Sequence, residues 1–464
     1  MKKFFFKKRY FFLTIFTITI FVSCATYYQK NLKFQEYFRT GDFEKANIFL
    51  QNDNSKKGKN RLLYLLNRGV VSWMLKDQNK SLNYFNEADK IIDEQNKNLA
   101  IEALTLISNP NIKPYKPEDF EIVMINYYKA LNFLEIGKYK EAIVECKQIN
   151  IKLNELNDKH KDHKNRYQRD AFANNLMGLI YDANGNYNDA FIAYRNALEV
   201  YEEDYEKNFN VKIPEQLKLD ILRAAYLTGF QEELRFYEKK FNKKYKHKKN
   251  QSYLVFFWQT GLCPVKSEWS LNFTVIRGSG NLVTFYNSEL DISFPYYVSN
   301  KKERNALGIT RIAFPKYLER KPVFKNAEIN INGKNLILDE SQNINNIAFK
   351  CLKDRMLREI GASLLRMATK KALEKLAAKE DEALGAALSI INAVTEKADT
   401  RNWQILPYAI HYTRINLKEG NNNLKFKAYG SYDNIYEKDF IFNGKKRKTD
   451  FFVFHNLQTY NIKN

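Results

Sequence analysis

Three regimes of hydrophobic patterning succeed one another along the chain. Phe11 to Val22 is an unbroken apolar run of 12 residues behind the basic stretch Met1 to Arg9. Over roughly residues 30 to 240, apolar positions recur three and four apart, the spacing of amphipathic helices. From Tyr253 onward the period falls to two, in β-branched and aromatic runs such as YLVFFW (Tyr253–Trp258) and LNFTVI (Leu271–Ile276), which predict strands. Asn326 to Asp339 sets an Asn-Gly pair between two such runs, the signature of a two-residue hairpin. One block, Phe349 to Thr400, returns to helical spacing without proline. Its polar middle predicts a helical hairpin turning near Lys379 to Glu382, and its apolar second arm, Leu384 to Val394, is expected to be buried.

The expected fold is therefore multidomain: an all-α domain over residues 24–249, then an α+β domain over 250–464 with a helical insertion at about 349–400. The break falls at Lys239–Lys249, which holds seven lysines. That stretch reads as a solvated helix end running into a linker, with contact to anionic lipid headgroups as the alternative.

The helical half carries an internal repeat. Gly41-Asp-Phe-Glu-Lys-Ala46, Gly137-Lys-Tyr-Lys-Glu-Ala142 and Gly185-Asn-Tyr-Asn-Asp-Ala190 share one phrase. Around Ala190, Gly178 lies twelve residues back and Tyr181 nine back, with Tyr194 four on and Ala197 seven on. Around Ala142 the same offsets give Ala130, Phe133, Cys146 and Ile149, and a degenerate copy centres on Ser81 with Gly69, Phe85 and Ala88. This spacing resembles the tetratricopeptide repeat, in which small residues let two helices approach and aromatics fill the space between units. Such arrays offer a concave surface to proteins or peptides. Tyr127, Tyr128, Asn174 and Asn175, on the first helices of the best repeats, are the expected groove-facing residues.

The amino-terminal run is too short for a spanning helix, which needs about 20 apolar residues, and has the build of a signal-peptide core. Ser23-Cys24 follows it and resembles the bacterial lipobox, although Phe21 stands where that pattern prefers Leu. The resemblance implies that residues 1–23 are removed and that Cys24 is acylated, leaving the protein anchored by lipid. Cys146, Cys263 and Cys351 then remain, an odd number without disulfide spacing, and Cys146 reads as a buried apolar thiol.

Charge and chemistry change this picture little. The net charge is +22; five of those charges (Lys2, Lys3, Lys7, Lys8, Arg9) lie in the leader, and +17 remains as dispersed lysine. No zinc-finger or RNP-like stretch accompanies it, so nucleic acid is not an expected partner. His160 and His163 sit in a polar, highly charged stretch and read as a solvated pair rather than metal ligands. Gly278-Ser-Gly280 lacks the frame of a nucleophile elbow, and Glu202-Glu203 and Glu232-Glu233 read as exposed helix charge. No catalytic residues, metal or cofactor are expected. Asp399, Arg401 and Trp403 read either as a recognition cluster or as a helix-to-strand joint, with Asp399 and Arg401 paired under the Trp403 ring.

A second resemblance rests on Tyr115-Lys-Pro-Glu-Asp-Phe-Glu121, Asn126-Tyr-Tyr-Lys-Ala-Leu131, Gly261-Leu-Cys-Pro-Val-Lys-Ser-Glu268, Phe294-Pro-Tyr296 and Ala398-Asp-Thr-Arg-Asn-Trp-Gln-Ile-Leu-Pro407. Together these segments resemble an uncharacterised family of bacterial envelope lipoproteins with tetratricopeptide-like amino-terminal halves. The resemblance implies a lipid-anchored, non-enzymatic scaffold at the outer membrane, facing the periplasm and binding other envelope proteins. The alternative is a cell-wall enzyme or glycan binder using the carboxy-terminal half.

Overall fold

The structure is a computed structural model that describes residues 26–97, 113–158, 166–247, 250–307, 309–380, 397–431 and 434–462. Among the described residues twelve α-helices come first: α1 (Tyr27–Lys30), α2 (Leu32–Arg39), α3 (Phe43–Gln51), α4 (Arg61–Met74), α5 (Gln78–Lys97), α6 (Asp119–Glu135), α7 (Tyr139–Asp158), α8 (Ala171–Ala183), α9 (Tyr187–Val200), α10 (Glu206–Phe209), α11 (Glu215–Thr228) and α12 (Gln231–Phe241). From α2 on, short turns join successive helices into hairpins: α2/α3, α4/α5, α6/α7, α8/α9 and α11/α12. The glycines of the repeated phrase stop the first helix of their units, with φ of +82° at Gly41, +75° at Gly137 and +81° at Gly185. A β-carbon is disfavoured in that left-handed conformation.

Within each hairpin the small and aromatic positions meet. A Cβ added at Gly69 would lie 2.6 Å from the Phe85 ring, and one at Gly178 would collide with the Tyr194 ring. The hydroxyl of Tyr194 is bound by Arg414 Nη2 at 3.0 Å, so the ring has little freedom to swing aside. Gly178→Ala is expected to cost ~1–3 kcal/mol by overpacking, read as a lower midpoint in thermal unfolding. An unchanged midpoint would mean that the ring yields freely.

The strands follow: β1 (Ser252–Thr260), β2 (Val265–Arg277), β3 (Leu282–Asn287), β4 (Ile292–Tyr297), a short helix α13 (Lys301–Ala306), β5 (Thr310–Leu318), β6 (Phe324–Ile331), β7 (Lys334–Ile337), β8 (Asp339–Asn343), the long helix α14 (Ile344–Glu380), β9 (Ala409–Leu417), β10 (Gly420–Gly430), β11 (Ile435–Gly444) and β12 (Thr449–Asn456). They form three four-stranded sheets, ordered β12-β1-β9-β8, β11-β10-β6-β7 and β4-β3-β2-β5. The β6–β7 hairpin turns on Asn332-Gly333 with both residues at positive φ, as its sequence predicts. The glycine-rich Gly278–Gly280 stretch joins β2 to β3.

The first sheet is covered on both faces. All nine residues of β1 are buried, which explains the absence of polar alternation in that run. Leu254, Phe256 and Trp258 pack with Ile415, Leu424, Phe426 and Ile329 in a sandwich with the second sheet. Val255 and Phe257, on the opposite face, join the core of the helical array. The helical and strand halves thus share one core. Phe241 and Ser252 bracket a change of element type, not a gap between separate cores.

Helix α14 differs from the expected insertion. It starts at Ile344 rather than Phe349, because Asn343 accepts a hydrogen bond from Asn346 N at 2.8 Å as its cap. It then runs unbroken to Glu380, and packs on the third sheet through Tyr317–Phe349 and Gly361–Phe294 contacts. The turn expected near Lys379 to Glu382 and the apolar arm Leu384 to Val394 fall largely or wholly outside the described residues, as do Cys24, His160 and His163.

Candidate functional site

The first helices α4, α6, α8 and α11 line the inner side of the array, and the first sheet is seated there. This placement corrects the expectation of an open groove. Tyr127 lies buried with its hydroxyl accepting from Gln259 Nε2 at 3.1 Å, and Phe172 meets Phe257 edge-to-face. Tyr128 is enclosed by Trp73, Phe85 and Trp403. Asn175 Oδ1 lies 3.4 Å from the Tyr412 hydroxyl. Asn174 faces a neighbouring helix instead, accepting from Asn150 Nδ2 at 3.2 Å while donating to Asp170 O. Strands β1 and β9 of the same chain thus cover Tyr127 and Asn175, Trp403 closes over Tyr128, and Asn174 lines a cleft of about 240 Å³ beside α7 with Asn150 and Arg169.

Two buried charge clusters tie the helical array to the carboxy-terminal half, one through β9 of the first sheet and one through β2 of the third sheet and α14. In the first, Arg414 of β9 binds Asp220 Oδ1 at 2.7 Å and Asp182 Oδ2 at 3.1 Å. Arg223 also pairs with Asp182 at 3.1 Å and reaches the Tyr253 hydroxyl at 3.0 Å. Two aspartates face two arginines, so the cluster carries no net charge. Burial raises the Asp220 pKa, and Arg414 counters part of that effect.

The second cluster gathers three of the five segments on which the envelope-lipoprotein resemblance rests, those at 115–121, 261–268 and 398–407. Glu118 pairs with Lys266 and with Arg355. Burial opposes its charge, but Arg355 and Lys266 outweigh that and hold its pKa at about 2. Glu121 accepts from Glu118 N at 2.8 Å, Trp403 N at 2.6 Å and the Tyr115 hydroxyl. Burial, reinforced by the Glu118 charge, pushes Glu121 up to about 7. Glu268 receives Ala398 N at 2.9 Å, and Asn402 donates to Pro264 O at 2.9 Å.

Asp399 and Arg401 do pair, at 2.7 Å. The Arg401 guanidinium lies over the Tyr115 ring and binds Lys113 O, rather than sitting under Trp403. Trp403 is fully buried against Phe85 and Tyr128. This is the geometry of a joint. Sequence reading missed Glu118, Glu121, Lys266 and Arg355 as one group, although three of them lie in the motifs quoted above. Cys146, Cys263 and Cys351 are free and buried, and burial raises the pKa of each thiol. They are inert packing groups.

The Glu121 carboxyl gives a signed pH dependence. Its folded pKa lies above the unfolded value, so the folded state binds the extra proton and stability falls as pH rises from about 4.5 toward 7. Buried His411 and His455, both lowered to about 4, act in the opposite sense: their stabilisation is lost as pH falls from about 6.5. Comparison with Glu121→Gln cancels the histidines. The stability of that variant relative to wild type is expected to improve between pH 5 and 8, by ~1–3 kcal/mol, in paired denaturant melts. A flat difference would place Glu121 in the ordinary carboxylate range.

Two open clefts bear on ligands. One, of about 590 Å³, lies among α1, α2 and α3. The other, of about 550 Å³, opens beside β8 and is lined by Asn326, Glu340, Asn343, Asn346, Tyr408 and His411 among others. Burial raises the Glu340 pKa, and its carboxylate receives Asn343 Nδ2 at 3.1–3.2 Å. Among the described residues no group of three or more His, Cys, Asp or Glu side chains is placed to hold a metal, and no helix is long and apolar enough to cross a membrane.

With this geometry in place, the chain is a tetratricopeptide-like helical-repeat region joined to a β-sheet-rich carboxy-terminal part. Solved structures similar to it include MamA (17% identity, 45% of this chain and 91% of that chain, TM-score 0.28) and the apo form of RapI (17% identity, 47% and 71%, TM-score 0.31). A tetratricopeptide repeat protein from Parabacteroides merdae is also similar (15% identity, 46% and 66%, TM-score 0.28). No family model and no curated protein matches the chain.

Proposed function

We propose that this protein is a lipid-anchored envelope scaffold, held at the outer membrane by acylated Cys24 and engaging other envelope proteins without catalysing a reaction. The observation that carries this reading is the use made of the buried charges. The Asp182, Asp220, Arg223 and Arg414 side chains, and those of Glu118, Lys266 and Arg355, tie helices to strands rather than facing a cleft. A repeat array spent on gripping its own sheet makes a stiff body, which suits holding an assembly in position. Partners then meet its outer surfaces, since the groove is filled from within.

The address is tested at Cys24, on the basic, apolar, Ser-Cys order of the leader. Cys24→Ala is expected to abolish incorporation of a fatty-acid probe and to leave the leader uncleaved. Continued labelling of the variant would remove the anchor from the reading.

A second reading is favoured by the Glu340 cleft alone. A half-buried carboxylate flanked by carboxamides and a tyrosine suits the hydroxyl groups of a glycan. In that case Glu340→Gln weakens binding of soluble cell-wall glycan fragments in calorimetric titration without lowering the melting midpoint. Absence of binding by the wild type at millimolar fragment would dismiss it.

A further inference from the structure

The chain enters the described body at Thr26, and Tyr27 already lines the cleft formed by α1–α3. Tyr27 lies three positions after Cys24, with Ala25 and Thr26 between them, and an extended chain spans at most ~3.3–3.6 Å per residue, so an anchor at Cys24 stands within about 10 Å of that cleft. Tyr27 N is itself tied to Thr400 Oγ1 at 3.3 Å, and Thr26 caps α1. Whatever surface holds the lipid therefore lies against this face of the protein.

The face is suited to such contact. Lys30, Lys33 and Lys45 line the cleft with Tyr37, and Ile48 and Leu32 expose about half of their surface there or beside it (55% and 49%). Lys33 and Lys45 each lie 5.9 Å from the Tyr37 ring. Of the acids nearby, Asp42 pairs with Lys45 at 2.7 Å and offsets its charge, while Asp53 lines the cleft and accepts from Ser55 N at 2.8 Å, so Lys30 and Lys33 carry the cleft's excess positive charge. Residues 26–61 carry eight Lys and Arg against four Asp and Glu. Apolar side chains beside lysines match the boundary between acyl chains and anionic headgroups.

We propose that the α1–α3 cleft docks on anionic lipid headgroups and fixes the orientation of the body on the bilayer that carries its anchor. This inference rests on the reading of Cys24 as acylated, yet the surface can be examined without the acyl chain. The chain from residue 25 onward contains every residue of the described body, and its partition onto vesicles is measured by sedimentation. Vesicles contain phosphatidylglycerol and phosphatidylcholine in equal parts, or phosphatidylcholine alone.

Binding to the anionic vesicles only is expected. Lys30→Gln/Lys33→Gln lowers it by about 25-fold, at roughly fivefold per lysine near an anionic surface. The control Lys334→Gln/Lys445→Gln removes the same charge from exposed positions of the second sheet and its turn, and is expected to leave binding within about twofold. Unequal folding is checked by the melting midpoints of both variants. Equal losses in the two variants, or equal binding to both vesicle types, would overturn the assignment. So would tighter binding to single-stranded RNA through the same lysines. Fatty-acid labelling of Cys24 with no vesicle binding sinks the surface and spares the anchor; vesicle binding with no labelling does the reverse.

Discussion

Arg414→Met is expected to destabilise the protein by ~3–5 kcal/mol, because it removes one partner of a buried ionic cluster and strands the others. Arg414 lies on β9 and its two aspartates on α8 and α11, so the loss falls on the grip between groove and sheet. Asp182 and Asp220 would then face only Arg223, with one negative charge uncompensated. The cheapest escape is protonation of Asp220, whose pKa burial already raises. A group raised in the folded state stabilises most below its unfolded value, so the variant is expected to be least damaged near pH 4 and worst near pH 8. Adding Asp220→Asn restores the charge balance and is expected to recover part of the loss. Additive damage in the double variant, measured by denaturant unfolding, would mean that the two side chains do not share one interaction.

Trp403→Ala carries the second large effect. The indole is fully buried, between Phe85 of α5 and Tyr128 of α6, and the residue's own N–H donates to Glu121. Truncation leaves a cavity at the point where the 397–408 stretch crosses the helices, at a cost of ~3–5 kcal/mol. Trp403→Phe, which keeps an apolar ring, should lose less than half of that. Were Trp403 a recognition residue instead, both substitutions would spare the melting midpoint and act on partner capture alone.

The contrast between these two sites and the repeats shows which features sequence carries. The Gly178–Tyr194 contact is legible because both residues belong to one hairpin, and a fixed helical spacing brings them together. The Asn332-Gly333 turn is legible for the same local reason. The filled groove is not. Gln259 and Tyr127 stand 132 positions apart, and Arg414 and Asp182 stand 232 apart; a polar residue in a strand reads as solvent-facing until its cover is known.

One clue was available. Tyr253–Trp258 lacks the polar alternation of a half-exposed strand, which implies cover on both faces. Taken with an array that needs something along its inner side, that run points to the sheet lying in the groove. The joint was partly legible, since the Asp399–Arg401 pairing is local. The placement of Arg401 over Tyr115 depended on a contact across 286 positions, between segments that only the fold brings together.

The claim that the sheet and its groove form one cooperative body is tested most directly by hydrogen exchange in the native state. Peptides covering Asp119–Glu135 and Ala171–Ala183 of the groove are compared with Ser252–Thr260 and Ala409–Leu417 of the sheet. The four should show the same opening free energy and lose protection together as denaturant rises. Groove helices that exchange freely while the strands stay protected would contradict it, and would reopen the groove to an outside partner.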